Sequence, residues 1–208
     1  KLQNLPDSIM ISSTLKRVGM DKLKIRGKKL IKIINGVEID LNGIAQGYTV
    51  DVLHNFLLEK NIENFIVEVG GEIRSHGKKP GNESFKVLVQ RPESGLENAT
   101  FVVELLNKSI TTSGSYENYR KVENYKFSHH MDPKTGYPLQ SKIISVTVIA
   151  DQAIDADAYD NVFMAMEPQE ALSFANSKNI MDIYLLYLED GIVKEAFSNG
   201  FKKYLLTD

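Results

Sequence analysis

Apolar and polar residues alternate early in the chain, along "DKLKIRG", "KKLIKIING" and "VEIDLNG", where Val, Ile and Leu are interleaved with Lys, Glu and Asp. Gly27 and the Asn35-Gly36 pair punctuate the alternation. A period of two broken by glycine predicts antiparallel hairpins. From Ala45 to about Lys60 the period lengthens, with Tyr48, Val52, Leu53, Phe56 and Leu57 recurring at helical spacing. "NFIVEVGG", "FKVLVQRP", "TFVVELLN" and "KIISVTVIA" read as half-buried or buried strands separated by Gly, Pro and Asn turns. Between Asp151 and Met166, Ala153, Ala156, Val162, Phe163 and Ala165 predict a second helix. "PQEALSFANSK" predicts a third, with Pro168 in its first turn. "DIYLLYLEDGIVKEAFS" closes as a hairpin around Asp190-Gly191. Strand runs interrupted by a few helices imply an α+β fold, a largely antiparallel sheet flanked by helices, in a single domain over residues 1–208.

Composition narrows the function classes. Of 208 residues, 42% are hydrophobic and 25% charged, which is ordinary globular usage. Net charge is −2, and the basic residues form only mild clusters, so nucleic-acid binding has little electrostatic support. No apolar run approaches the roughly 18 to 20 residues that cross a bilayer. The absence of Cys excludes thiolate catalysis, disulfides and zinc-thiolate sites. "KLQNLPDSIM" begins with neither Met nor a signal peptide and reads as the middle of a protein.

Four polar clusters are candidates for chemistry. "DLNGIAQGYTVD" runs a strand into a helix through Gly43 and Gly47, where free backbone N–H groups suit an anion, or where glycines simply permit the turn. In "EVGGEIRSHG", Gly70-Gly71 lets a ligand approach the backbone or forms a bulge. In "DADAYDN", Asp157, Asp160 and Asn161 share one helix face. Two carboxylates and an amide oxygen so close suit Mg²⁺ or Ca²⁺; a solvated face near the positive end of the helix dipole is the alternative. Last, "ITTSGSYENYR" precedes "HHMDPKTGYP". Thr111, Thr112, Ser113 and Gly114 either hold phosphate or end a strand, and His129 and His130 titrate in the range of general acid–base work. Asp132 before Pro133 initiates a turn that Thr135 and Gly136 complete.

The order of these blocks adds what none carries alone. "DLNGIAQGYTVD", "VEVGGEIRSHG", "TTSGSYENYR", "HHMDPKTGYP" and "IADQAIDADAYDN" resemble, in sequence and order, the motifs of the FAD:protein FMN transferases, the ApbE family, from about Val18 to the C-terminus. The resemblance implies an ApbE-like, T-fold-related architecture. It implies Mg²⁺ and FAD, cleavage of the pyrophosphate, and transfer of FMN to a Thr or Ser hydroxyl of a target protein with release of AMP. Carried onto this sequence, the cation ligands are the Thr49 main chain, Asp157 and Asn161, with Asp160 beside them. FAD is held by Gln46, Gly47, Asp51, Gly70, Gly71, Glu72, Thr112, Ser113, His130 and Met131. His129 takes the proton of the incoming hydroxyl, and Asp132 fixes the turn that carries it. Asn161 stands where the family usually has Thr, Gln46 where Lys is common, and His130 where an apolar residue is more frequent. The family's N-terminal portion has no counterpart before Lys1, so the domain reads as N-terminally incomplete. Family members are commonly exported lipoproteins, which implies membrane association only through a lipid anchor outside this sequence. A Mg²⁺-dependent FAD pyrophosphatase and a non-catalytic FAD-binding remnant are the alternative readings.

Overall fold

The computed structural model describes residues 7–90, 101–114, 119–122, 125–128 and 131–206. In chain order the elements are α1 (Ser8–Leu15), β1 (Leu23–Arg26), β2 (Lys29–Lys32), α2 (Ala45–Glu59), β3 (Phe65–Val69), β4 (Glu72–His76), β5 (Phe85–Val89), β6 (Phe101–Leu105), β7 (Ser109–Gly114), β8 (Tyr119–Val122) and β9 (Tyr125–Ser128). They continue with β10 (Ile143–Ala150), α3 (Ala153–Phe163), α4 (Pro168–Lys178), β11 (Met181–Glu189) and β12 (Ile192–Phe197). The fold is α+β, and every strand pairing among the described residues is antiparallel. Where a single domain is expected, contacts gather the chain into two compact units, residues 1–40 with 119–140 and residues 41–118 with 141–208.

In the smaller unit, the first alternating blocks form the expected hairpin, with Ile25 opposite Leu30 and Arg26 opposite Lys29. "VEIDLNG" forms no strand: Val37 is buried, but Ile39 is exposed, and no described strand pairs with it. Alternation specifies a strand only when a neighbour is there to accept its hydrogen bonds. Helix α1 is an addition to the reading; its cap is Asp7, whose carboxylate accepts from the Met10 amide at 2.7 Å.

The larger unit is built on a six-stranded sheet of order β12-β11-β10-β7-β4-β3. Both faces of its centre are apolar. Val146, Val148, Ile183 and Leu185 pack under Ala156 and Phe163 of α3 and Ala171 of α4. Ile149, Tyr184 and Leu186 point the other way, toward Val103 and Leu105 of the β5–β6 hairpin and Phe201. Period-two burial on both faces accounts for the near-continuous apolar runs of β10 and β11. Pro168 opens α4 as its position predicts. Asp190 and Gly191, with φ of 52° and 76°, form the two-residue turn between β11 and β12.

Helix α2 forms where its period predicts, but with a different face inward. Tyr48 and Phe56 are 58% and 51% exposed, and Val52 and Leu53 also face out. The buried positions are Gly47, Val50, Asp51 and His54. Val50 packs with Phe65, Val67 and Ala153. Val50→Ala should therefore cost about 2 kcal/mol, from two lost methyl groups and the cavity they leave. Val52→Ser, one turn face away, should stay within about 0.5 kcal/mol. Urea denaturation of the two variants checks the assignment.

Candidate functional site

Helices α2 and α3 lack caps of their own. Neither Ile44 nor Gln152, the residues before them, offers a side-chain bond to the first turn. First-turn N–H groups have no partner within their own helix, so they must find one elsewhere. Each helix finds it on the other. Asp157 of α3 accepts from the Gly47 amide of α2 at 2.8 Å. Asp51 of α2 accepts from the α3 amides of Ala153 and Ile154 at 3.0 and 2.9 Å. The crossing depends on Gly47, because a Cβ there would lie 2.4 Å from the Ala153 carbonyl oxygen and 2.7 Å from Asp157 Cβ. Arg74 of β4 reaches Asp51 at 2.5 Å and completes the junction.

Beneath it lies the polar end of the sheet. Ile73 of β4 and Ile110 of β7 are partners in register and pack in the core of the β5–β6 side. By alternation Glu72, Arg74 and Thr111 face α2 and α3. Asp160 is buried among them and its carboxyl is pushed up to about 8, by burial first and then by the charges of Asp157 and Glu72. Thr111 moderates that shift, although its buried hydroxyl makes no close hydrogen bond among the described residues. Glu72 is raised to about 7, again by burial and then by Asp157 and Glu68, and its Oε2 is buried without a partner. Burial raises Asp157 too, against the lowering effect of the Gly47 N–H. Asn161 donates through Nδ2 to the Asp157 carbonyl and to Asp160 Oδ1, both at 2.9 Å. This leaves the Asn161 amide oxygen and Asp157 Oδ1 without protein partners among the described residues. Three acids raised by burial, with the charge of Asp157 acting on the other two and orphaned oxygens beside them, favour a proton or a cation nearby.

The remaining assigned residues divide. Asp157, Asp160, Asn161, Gly47 and Glu72 come together around the junction. Asp51 has both oxygens engaged, with the α3 amides and with Arg74. Thr49 belongs to the same helix. It lies one turn into α2, where its hydroxyl bonds the Ala45 carbonyl at 2.7 Å and a main-chain carbonyl belongs to the helix ladder. Gly70 and Gly71, with φ of 66° and 108°, are the two-residue turn joining β3 to β4. The Gln46 amide lies directly over Gly70, and the position of a Gly71 Cβ is open. Thr112 points to the opposite sheet face from Thr111, where it bonds the Thr147 hydroxyl at 2.9 Å. There it borders a cavity of about 310 Å³ with Gly71, Ile73, Val87 and Ile110. That volume is at the small end of ligand pockets. Ser113 follows on β7, half-buried.

Met131 and Asp132 belong to the smaller unit, and His129 and His130 lie outside the described residues. Asp132 builds its turn by accepting from the Lys134 amide at 2.8 Å and the Thr135 hydroxyl at 2.9 Å. These bonds lower its pKa, the Lys134 amide most. Arg74, absent from the candidate residues, proves central, as does Thr111, a candidate only as a hydroxyl for phosphate or as a strand end. Period-two spacing from Glu72 would have found Arg74.

A family model described as the ApbE family matches residues 1–185. The FAD:protein FMN transferase of Vibrio cholerae is 33% identical over 187 residues, covering 90% of this chain and 56% of its own. That of Escherichia coli strain K12 is 29% identical over 208 residues, covering 98% and 59%. Among solved structures, the flavin transferase ApbE from Vibrio cholerae superposes with a TM-score of 0.88 at 29% identity, over 99% of this chain and 65% of that one. The ApbE protein of Thermotoga maritima gives 0.83 at 27% identity, over 98% and 65%. The chain thus spans less than two thirds of the length of these relatives.

Two predictions test the junction. Asp51→Asn should destabilise by about 3 kcal/mol, since it leaves the buried Arg74 guanidinium without its counter-charge. Asp157→Asn should cost no more than about 1 kcal/mol, because one lost charge-assisted bond is offset by relief among the acids; denaturant titration ranks the two. For pH, Asp160 has a folded pKa above its unfolded value near 4. Its stabilising contribution is therefore complete below pH 4 and is lost as pH rises toward 8. With divalent cations chelated, unfolding free energy should fall across this window by at most about 1.4 kcal/mol per pH unit from this group. Asp160→Asn should flatten that slope in thermal unfolding measured at stepped pH.

Proposed function

Because the chain belongs to the ApbE family, we propose that its protein transfers the FMN half of FAD to a threonine or serine hydroxyl of an acceptor protein, with Mg²⁺ as the cation. The acceptor oxygen bonds to the FMN phosphorus, the bond from that phosphorus to the bridging pyrophosphate oxygen breaks, and AMP leaves. The hydroxyl proton passes to a base, for which His129 is proposed. The observation that carries the reading is the Asp157–Gly47 bond at 2.8 Å, which ties a carboxylate to a glycine helix start.

The donors fit Mg²⁺ in a limited way. Among the described residues no three acidic or histidine side chains form a cage by themselves. Mg²⁺ ordinarily takes one or two carboxylates and completes its shell with water and substrate phosphate. Asp157 Oδ1 and the Asn161 amide oxygen are available for that role. When bound, the cation supplies neutralisation of the pyrophosphate charge as it builds. The chain's own part is orientation. Asp160 holds Asn161 by its amide, the Gly47 contact holds Asp157, and Gly70-Gly71 with the Thr112 cavity lets the flavin nucleotide approach the backbone.

Incubation with FAD, Mg²⁺ and an acceptor protein, followed by mass spectrometry of the acceptor, tests the proposal. A gain of one FMN is expected. Free FMN and AMP without that gain would mean hydrolysis, and bound FAD without AMP would mean a non-catalytic binder. His129→Ala should abolish transfer with FAD binding retained, and Asp157→Asn should weaken the Mg²⁺ requirement constant by roughly 10-fold or more.

A further inference from the structure

The β1–β2 hairpin is the most cationic stretch of a chain whose net charge is −2. Lys24, Arg26, Lys28, Lys29 and Lys32 lie within residues 23–34, and no carboxylate lies among them. All five side chains are exposed, and none is ion-paired among the described residues, whereas the preceding Lys22 is paired with Asp21. The register sorts the two faces. Leu23, Ile25, Leu30 and Lys32 share one, and Lys24, Arg26, Lys29 and Ile31 share the other. Ile25 is 78% exposed and Leu30, its cross-strand partner, 52%. Gly27, with open space around it, and Lys28 form the tip. An exposed apolar pair thus lies on one face of the ribbon beside Lys32 and the tip Lys28, while Lys24, Arg26 and Lys29 line the reverse face.

We propose that this hairpin docks the protein on an anionic phospholipid surface. Ile25 and Leu30 enter the headgroup–acyl boundary from one face with Lys28 and Lys32 on lipid phosphates beside them, and the long side chains of Lys24, Arg26 and Lys29 reach round the narrow ribbon to the same headgroup layer. Size favours lipid over a protein partner. Four-residue strands make a ribbon about 13 Å long, with a footprint far below the roughly 800 Å² that each side brings to a stable protein interface. A membrane needs no such area, because each added cation near an anionic leaflet contributes separately. Nucleic acid fits less well, since residues 23–34 contain no aromatic side chain on which a base could stack. The proposal is independent of the transfer reading.

The test is co-sedimentation of the full chain with vesicles of phosphatidylcholine alone or with about one third phosphatidylglycerol. Binding to the anionic vesicles should exceed that to neutral ones by at least about tenfold, and should fall when NaCl is raised from roughly 0.05 to 0.5 M. Lys28→Glu with Lys29→Glu should abolish it, and Ile25→Ser with Leu30→Ser should weaken it, both with an unchanged melting temperature. Equal binding to both vesicle types would overturn the proposal, as would charge reversal without effect. Capture by immobilised polyglutamate with no vesicle binding would assign the surface to an acidic protein instead. Salt dependence of the unmodified chain decides the matter even if a variant misfolds.

Discussion

Two carboxylates exchanged between α2 and α3 hold the larger unit's working end together. Each helix begins without a cap of its own, and each borrows one from the other: Asp157 for α2 and Asp51 for α3. A carboxylate at a helix N-terminus meets both unpaired amides and the positive end of the helix dipole, which is why an acid can be buried there at all. The exchange works only at short range. Gly47 supplies it, since any larger residue would press a carbon against the Ala153 carbonyl.

The two acids are not equivalent, and the difference separates structure from chemistry. Asp51 has two amides and the Arg74 guanidinium, so its charge is fully compensated inside the protein. Asp157 has a single amide and keeps one oxygen uncommitted. Removing compensation from a buried charge is costly, so the first acid is locked in place. The second is left with capacity for a ligand, and its neighbours Asp160 and Glu72 are raised to about 8 and about 7 by burial first and then by the charge of Asp157. A cluster of that kind opposes folding in its ionised form. The apolar centre of the same sheet, from Val146 to Leu185, carries α3 and α4 and offsets that opposition.

How much of this could be read from the residues depends on which force selected each one. Turns were readable where their chemistry is local: Asp190-Gly191 takes the left-handed backbone that a two-residue hairpin needs, and Pro168 begins α4; Gly70-Gly71, expected as a ligand approach or a bulge, is a hairpin turn instead. Central strands β10 and β11 were readable from their apolar runs. β4 and β7 were not, because Glu72, Arg74, Ser109 and Thr111 are polar residues on strands that lie inside the sheet. Their side chains face acids and amides rather than a hydrocarbon core, so hydropathy gives no signal. For α2, the apolar stripe through Tyr48, Val52 and Phe56 points outward, while the inward face contains a glycine, an aspartate and a histidine.

The sequence by itself therefore determined the α+β class, most element positions and the grouping of Asp157, Asp160 and Asn161 on one helix face, all of which follow from local periodicity and turn chemistry. Tertiary structure decided which face of α2 is buried, that Asp51 caps α3, and that Arg74 and Thr111 join the junction. Those outcomes rest on amides 102 to 110 residues away along the chain. Hydrogen-bond demand at a helix start is fixed locally, but the partner that meets it is chosen only when the chain closes in space.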